Sequence, residues 1–381
     1  MHISWRSTAL AAGVLAGYIT AATAADPLPV DKVISEPRIR MDGPYLFVGD
    51  GTKLVVTNAE ELKYLGSMGG VPSWRGNLIV PPGGDTIWLT NSYYSHGVPM
   101  VRDDVVEQWN INTLSPTGLE IKVPPRLSMR GSDRTMATLS SDGKWMFLQN
   151  ATPATSVSVV DLSTNKFLYE IPLPGCFGVY AQIKDPKKFV SFCGDGQLVT
   201  VTIDARGRNT LVERSSAIFN ADVDPVFVAA ERDGDTLYTV SYNGDVYKID
   251  ISGATATLVD KYSINAGVKG GWKPGGLQLL AYAPEARVLF VLMRPNSKDG
   301  DHVEPSSEVW SVDVTSKKVL SRSTVSNATG VAYGALPTPA LYMNDREGKT
   351  LVRYALDPSA AYTVRFDKKI GVAANHRLQV R

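Results

Sequence analysis

The stretch "VSVVDLSTNKFLYEIPL" (Val157–Leu173) decides the fold. A β-branched run ends at Asp161, a short polar turn follows, and a second run of strand-forming residues starts near Phe167. This is a hairpin pattern. It returns at Leu54–Met68, Val106–Ile121, Leu198–Ser215, Asp245–Ser263, Glu308–Thr324 and Leu351–Phe366, making seven copies. The turn residues Asn110, Asp161, Asp204, Asp250, Asp313 and Asp357 recur roughly every forty to fifty positions, with one longer interval from Asp250 to Asp313.

A second strand–turn–strand pattern precedes each copy, as in "MATLSSDGKWMFLQN" (Met136–Asn150), "VFVAAERDGDTLYTVS" (Val226–Ser241) and "LQLLAYAPEARVLFVL" (Leu277–Leu292). Each unit therefore holds about four strands, and helical periodicity is nearly absent. A single four-stranded sheet cannot bury both of its faces. Seven sheets packed radially bury one another and leave only short, protected edges. The sequence thus predicts an all-β, seven-bladed β-propeller of four-stranded antiparallel blades. A β-sandwich does not explain the sevenfold period.

The propeller is expected over residues 38–381, with an extended arm over 25–37. The final stretch, "KKIGVAANHRLQVR" (Lys368–Arg381), is expected to supply the strand that closes the ring. Three longer connections stand out as places for contacts: Asn91–Trp109, Ile264–Gln278 and Met293–Trp310.

The chain starts "MHISWRSTALAAGVLAGYITAATAAD". Arg6 precedes an apolar run, Ala9–Ile19, and Ala22-Thr23-Ala24 follows as a small-residue cleavage site. This is a secretory signal pattern over residues 1–24, and the run is short for a membrane span. An exported, disulfide-permissive periplasmic setting is expected. The formal net charge of the 381 residues is +1, with Lys and Arg dispersed, so no basic patch for nucleic acid is evident.

Candidate chemistry within the chain is sparse. The histidines are His2, His96, His302 and His376, and none forms a metal-binding spacing. No nucleophile elbow or phosphate loop is present, and "GWKPGG" (Gly271–Gly276) opens no helix. The carboxylate pairs Asp103/Asp104 and Asp222/Asp224 read as ordinary turn and strand-end residues.

Only Cys176 and Cys193 supply thiols, in "GCFGVYAQIKDPKKFVSFCGDG" (Gly175–Gly196). Cys176 starts the first strand of a blade and Cys193 ends the second. The ends of an antiparallel hairpin face each other, so a structural disulfide is expected. On the chain-entropy model it contributes roughly 3 kcal/mol.

Several stretches together resemble the heavy subunit of the amine dehydrogenases that use tryptophan tryptophylquinone. They are "DVVEQWNINTL" (Asp104–Leu114), "FLQNATPATSVSVVDL" (Phe147–Leu162), the cysteine hairpin with "GQLVTVTID" (Gly196–Asp204), "DPVFVA" (Asp224–Ala229), "YNGDVYKID" (Tyr242–Asp250), "GGWKPGGLQLLAYAPEARVLFVLM" (Gly270–Met293) and "DHVEPSSEVWSVDV" (Asp301–Val314). "FLQNATPATSVSVVDL" and "YNGDVY" look closer to the aromatic amine dehydrogenase branch than to the methylamine branch.

The resemblance implies a periplasmic heterotetramer of two heavy and two light subunits (α2β2). The quinone cofactor and the catalytic base would lie in the light subunit, with no catalytic residue, metal or cofactor in this chain. Primary amines would be oxidised to aldehyde and ammonia, and electrons would pass to a blue-copper protein such as azurin or amicyanin.

The resemblance also implies an aromatic side chain near the mouth of the substrate channel. Aligning "GGVPSWRGNLIVPPGGDTIWLT" (Gly69–Thr90) puts Trp74 there, where relatives carry Phe. Packing between blades is the plainer role for such a Trp. The tryptophans that form the cofactor are not expected in this chain, and Trp272 and Trp310 read as packing or interface residues. Two rival readings remain: a stand-alone exported propeller that binds a ligand or protein, and a propeller hydrolase or lactonase with a metal in its central tunnel.

Overall fold

The computed structural model describes residues 44–50, 53–69, 77–81, 83–95, 101–128, 134–335, 337–372, 374 and 378–381. The signal-peptide and arm readings therefore lie outside the described residues. Seven antiparallel sheets follow one another along the chain, as the repeat predicts. The third blade shows the unit: Ala137–Leu139, Trp145–Asn150, Ser156–Asp161 and Lys166–Pro172 pair in that order. Its second and third strands are buried at every position, while its fourth alternates towards solvent. Strands buried on both faces need side chains that are apolar or hydrogen-bonded, so "WMFL" and "SVSVV" read as near-continuous runs, while buried Gln149 and Asn150 donate to Ser156 O and to the Ser156 and Ser158 hydroxyls.

The ring closes as expected. Leu378–Val380 pairs with Tyr45–Asp50 and supplies the innermost strand of the first blade. Backbone bonds between Tyr45 and Arg381 (3.0 and 2.9 Å) extend this ladder. Gln278, 2% exposed, clamps the junction: its Nε2 donates to Val331 O at 3.0 Å and Leu378 O at 2.8 Å. One buried amide thus joins the sixth, seventh and first blades. With its donors satisfied, it adds to the closure rather than costing desolvation.

The turn between third and fourth strands is built identically in all seven blades. A side-chain oxygen accepts the N–H two residues on, at 2.7–3.0 Å, from Asn58, Asn110, Asp161, Asp204, Asp250, Asp313 and Asp357. This Asx geometry satisfies a backbone donor that the turn would otherwise expose. It is the physical reason for the recurring Asp or Asn.

The sixth blade departs from the pattern. Its innermost position holds two short pieces, Lys273–Pro274 and Leu280–Ala283, both paired to Val288–Arg294. Gly276 marks the break, with φ +123°, and a Cβ there would lie 3.0 Å from Thr329 O. Leu277 and Gln278 then donate their N–H groups to that same Thr329 carbonyl. The interruption therefore docks the sixth blade on the seventh.

Antiparallel alternation sorts the connections onto two faces. The Asx turns leave one, here the turn face. The connections between second and third strands, and those between blades, leave the other, the loop face. Both insertions of the sixth blade (264–272 and 295–305) lie on the loop face. The early connection over Asn91–Trp109 differs from the loop expected: Thr86–Ser95 and Val101–Asn110 are ten-residue strands in continuous register, an extended hairpin on that same face.

Candidate functional site

Among the described residues, the loop face carries the cysteine corner, the extended hairpin and both insertions of the sixth blade. Cys176 and Cys193 are register partners in the fourth blade's inner hairpin and form a disulfide, with Cα atoms 3.9 Å apart. Gly194 N donates to Gly175 O at 2.9 Å beside it. The adjoining turn admits only glycine at 196: φ is +82°, and a Cβ would meet Phe219 O at 2.0 Å. The "GCF…CGDG" stretch is thus a rigid corner whose carbonyl at Gly196 accepts the Ile218 N–H.

The extended hairpin of the second blade is held by two polar clusters. Arg102 grips Asp104 through two bonds of 2.6 and 2.7 Å and also donates to Leu127 O. Asp104 is 1% exposed and accepts the Leu127 N–H at 2.7 Å, so its buried charge is fully partnered. On the same strands, Glu107 accepts from Tyr93, Asn91 and Trp109. Burial, together with the Glu107 hydrogen bond and charge, raises the pKa of the Tyr93 phenol. The hairpin is consequently a braced platform.

Between the fifth and sixth blades the insertions form a groove of about 510 Å³ lined by Val223, Tyr242, Lys273, Asp299 and His302. His302 stacks on Tyr242 with ring centroids 4.5 Å apart, and Phe227 packs behind Tyr242 at 4.6 Å. Burial raises the Tyr242 pKa, keeping a neutral phenol there. Nearby, the Arg322 guanidinium lies 4.6 Å from both the Trp272 and Trp310 rings. Glu308 accepts from Trp310 Nε1 at 2.7 Å and Arg322 Nε at 2.8 Å. Trp310 is fully buried and Trp272 packs on it, so both act in packing.

Trp74 lies outside the described residues, as do His96 and His376. The strand ends that flank Trp74, Met68 and Leu78, are buried and belong to the first and second blades. Among the described residues, no group of three or more His, Cys, Asp or Glu is placed to hold a metal ion. Asp103, Asp104, Asp222 and Asp224 do not converge: the first two sit on the braced hairpin, the others in the 220–224 turn.

Sequence reading missed the His302–Tyr242 stack and the Arg322 wedge. His302 and Tyr242, like Trp272 and Arg322, come from segments tens of residues apart, which no local spacing encodes; Arg322 does face Trp310 directly as its register partner across one hairpin. The extended hairpin did carry a signal, since "TIWLTNSYYS" and "VRDDVVEQWN" are both strand-forming runs of equal length.

The central tunnel also carries polar side chains. Arg134, preceding the third blade's innermost strand, donates through Nη2 to Glu231 at 2.6 Å and to Leu280 O at 3.3 Å. Those partners lie on innermost strands of the fifth and sixth blades. The side chain therefore crosses the tunnel.

Comparison with known proteins agrees with the architecture. A family model described as methylamine dehydrogenase heavy chain matches residues 38–375. The methylamine dehydrogenase heavy chain of Methylobacillus flagellatus is 25% identical over 338 residues, covering 85% of this chain and 82% of that protein. The Methylorubrum extorquens heavy chain is 27% identical over 305 residues, covering 77% and 72%. Among solved structures, the periplasmic gluconolactonase of Pseudomonas aeruginosa superposes with a TM-score of 0.62 at 15% identity, covering 88% of this chain and 98% of that one. At that identity the likeness shows the fold alone.

Proposed function

The chain belongs to the methylamine dehydrogenase heavy chain family, and we propose that it serves as the non-catalytic heavy subunit of a periplasmic quinoprotein amine dehydrogenase. The family match across almost the whole propeller carries this reading. In it, the enzyme is an α2β2 assembly that oxidises primary amines to aldehyde and ammonia. Electrons leave to a blue-copper protein of the azurin or amicyanin kind. An aromatic amine is the preferred substrate in this proposal, supported by the stretches Phe147–Leu162 and Tyr242–Tyr247.

Tryptophan tryptophylquinone is proposed for the light subunit. The Trp pair in this chain does not fit such a cofactor. The Trp272 and Trp310 rings are tilted by 46° with centroids 5.8 Å apart, and one guanidinium lies against both. That is a packing arrangement, and no catalytic step is routed through it. The heavy chain instead supplies a rigid face, through the braced hairpin and the disulfide corner, against which a light subunit is seated. Trp74 is proposed to line the mouth of the substrate channel, where an indole is larger than Phe and brings an N–H donor.

Purification from the native operon tests the assignment. A small, disulfide-rich companion with quinone absorbance should copurify in equal amount. A chain that emerges alone and colourless, with no light-subunit gene nearby, sinks the proposal. For Trp74, the Trp74→Ala enzyme should change the ratio of kcat/KM between bulky aromatic and small aliphatic amines. An unchanged ratio removes Trp74 from the channel.

A further inference from the structure

The tunnel holds a cavity of about 820 Å³, within the size range of small-molecule sites. One wall is apolar and comes from the second blade: Leu78, Ile79, Val80, Pro81 and Trp88. The polar groups come from other blades: Gln379 from the innermost strand of the first, Arg134 from the start of the third and Arg232 from the innermost strand of the fifth. The mouth is on the turn face, because Ser140–Gly143 and Ile183 line it and belong to turns between first and second strands. The deep end is spanned by Arg134.

This cavity is built from fixed parts. Asp235 accepts the N–H groups of Ile183 and Lys184 at 2.6 and 2.9 Å and also pairs with Arg232 at 3.4 Å. Arg232 is further tied to Ala181 O and Gly234 O. The rim turn is therefore locked, yet it presents Ile183 with 52% of its surface exposed. An apolar side chain held out over a cavity mouth by charged groups is a contact waiting for an apolar body.

The polar side is not saturated. Arg134 uses only Nη2, so its Nε and Nη1 donors have no hydrogen-bond partner among the described residues. The Gln379 side-chain amide has no hydrogen-bond partner among the described residues either. Each arginine is already paired, Arg134 with Glu231 and Arg232 with Asp235, while Asp142 lies exposed at the mouth and accepts from Ser140 Oγ and the Lys144 N–H. Free donors in a charge-compensated, largely apolar chamber suit a neutral acceptor better than a free anion or a cation.

We propose that the tunnel cavity is a binding site for an uncharged, apolar molecule bearing a carbonyl acceptor. Its apolar body would lie between Leu78–Pro81 and Ile183, with its carbonyl towards Arg134 and Gln379. The site is on the face opposite the loop face and does not depend on the light subunit or on the amine dehydrogenase reading.

Calorimetric titration of the purified full chain tests this, with 4-phenyl-2-butanone as the neutral carbonyl probe and 4-phenylbutyrate and 4-phenylbutylamine as charged controls. The ketone should bind saturably at one site per chain and more tightly than either control. Gln379→Leu, which removes an amide with no protein partner, should weaken the ketone about threefold to tenfold and leave the thermal midpoint unchanged. Ile183→Ala, on an exposed side chain, should weaken it about fivefold. No saturable binding overturns the proposal, as does either charged control binding more tightly than the ketone. Unchanged affinity in either variant also overturns it.

Discussion

Arg134 and Glu231 bond at 2.6 Å across the tunnel, although one precedes the third blade's first strand and the other lies in the fifth blade. Neighbouring blades are held by apolar packing and by hydrogen bonds such as those of Gln278, but this pair skips a blade and ties non-adjacent parts of the ring. Both side chains are partly exposed, at 30% and 17%, so solvent screens the attraction. The Arg134→Met substitution is expected to cost about 1 kcal/mol, read as a fall in the urea midpoint with an unchanged slope. A double-mutant cycle with Glu231→Gln should recover most of that as coupling. Zero coupling would show that the strut carries no load.

The Cys176–Cys193 bridge closes the fourth blade's inner hairpin. Cys176→Ser/Cys193→Ser is expected to lose about 3 kcal/mol of stability on the chain-entropy model. The ladder on either side remains, so far-ultraviolet circular dichroism should keep its β signature while the denaturant midpoint falls. Equal midpoints for the oxidised and reduced wild-type chain would contradict this.

Acid sensitivity follows from the Asx turns. Burial raises the pKa of Asp161 and Asp313. The hydrogen bonds from Ser163 in one case, and from Thr315 and Ser316 in the other, outweigh it and leave both below the usual 3.8. The sign is that of a depressed carboxylate. Above the unfolded value the stabilisation is fully present, and it is lost as pH falls through the folded value. Asp161→Asn and Asp313→Asn keep an acceptor oxygen but cannot titrate. Their stability should therefore fall less than wild type between about pH 5 and pH 2. Parallel pH–stability curves would refute the assignment.

Gly196→Ala is the most severe single change expected among these. The new Cβ would lie 2.0 Å from Phe219 O, and the residue would need φ near +82°. Backbone must move, so a loss of about 3 kcal/mol or more is expected, measured by thermal or urea unfolding. A loss under about 1 kcal/mol would mean that the 217–220 segment gives way freely.

These sites differ in how far a sequence discloses them. The Asp161 and Asp313 turns are local: the carboxylate and the N–H it accepts are two residues apart. Repetition of that unit exposed the blade count and hence the architecture. The cysteine pair was legible because a hairpin's ends must meet. Arg134 was not, since its partners are 97 and 146 positions away and no period predicts which blades a tunnel side chain will reach. The His302–Tyr242 stack failed for the same reason, because the shape of an insertion is set by what it lands on. Trp74 was placed by resemblance alone, and its surroundings lie outside the described residues.

The ring's seam has a temporal consequence. Tyr45–Asp50 is made long before its inner neighbour, Leu378–Val380. Until then the first blade presents an open edge, and Gln278 has no Leu378 carbonyl to receive its amide. A chain that stops before Leu378 would carry six completed blades and still remain unsealed. The seam thus makes exposed strand edge the mark that separates chains reaching Val380 from those that stop before it.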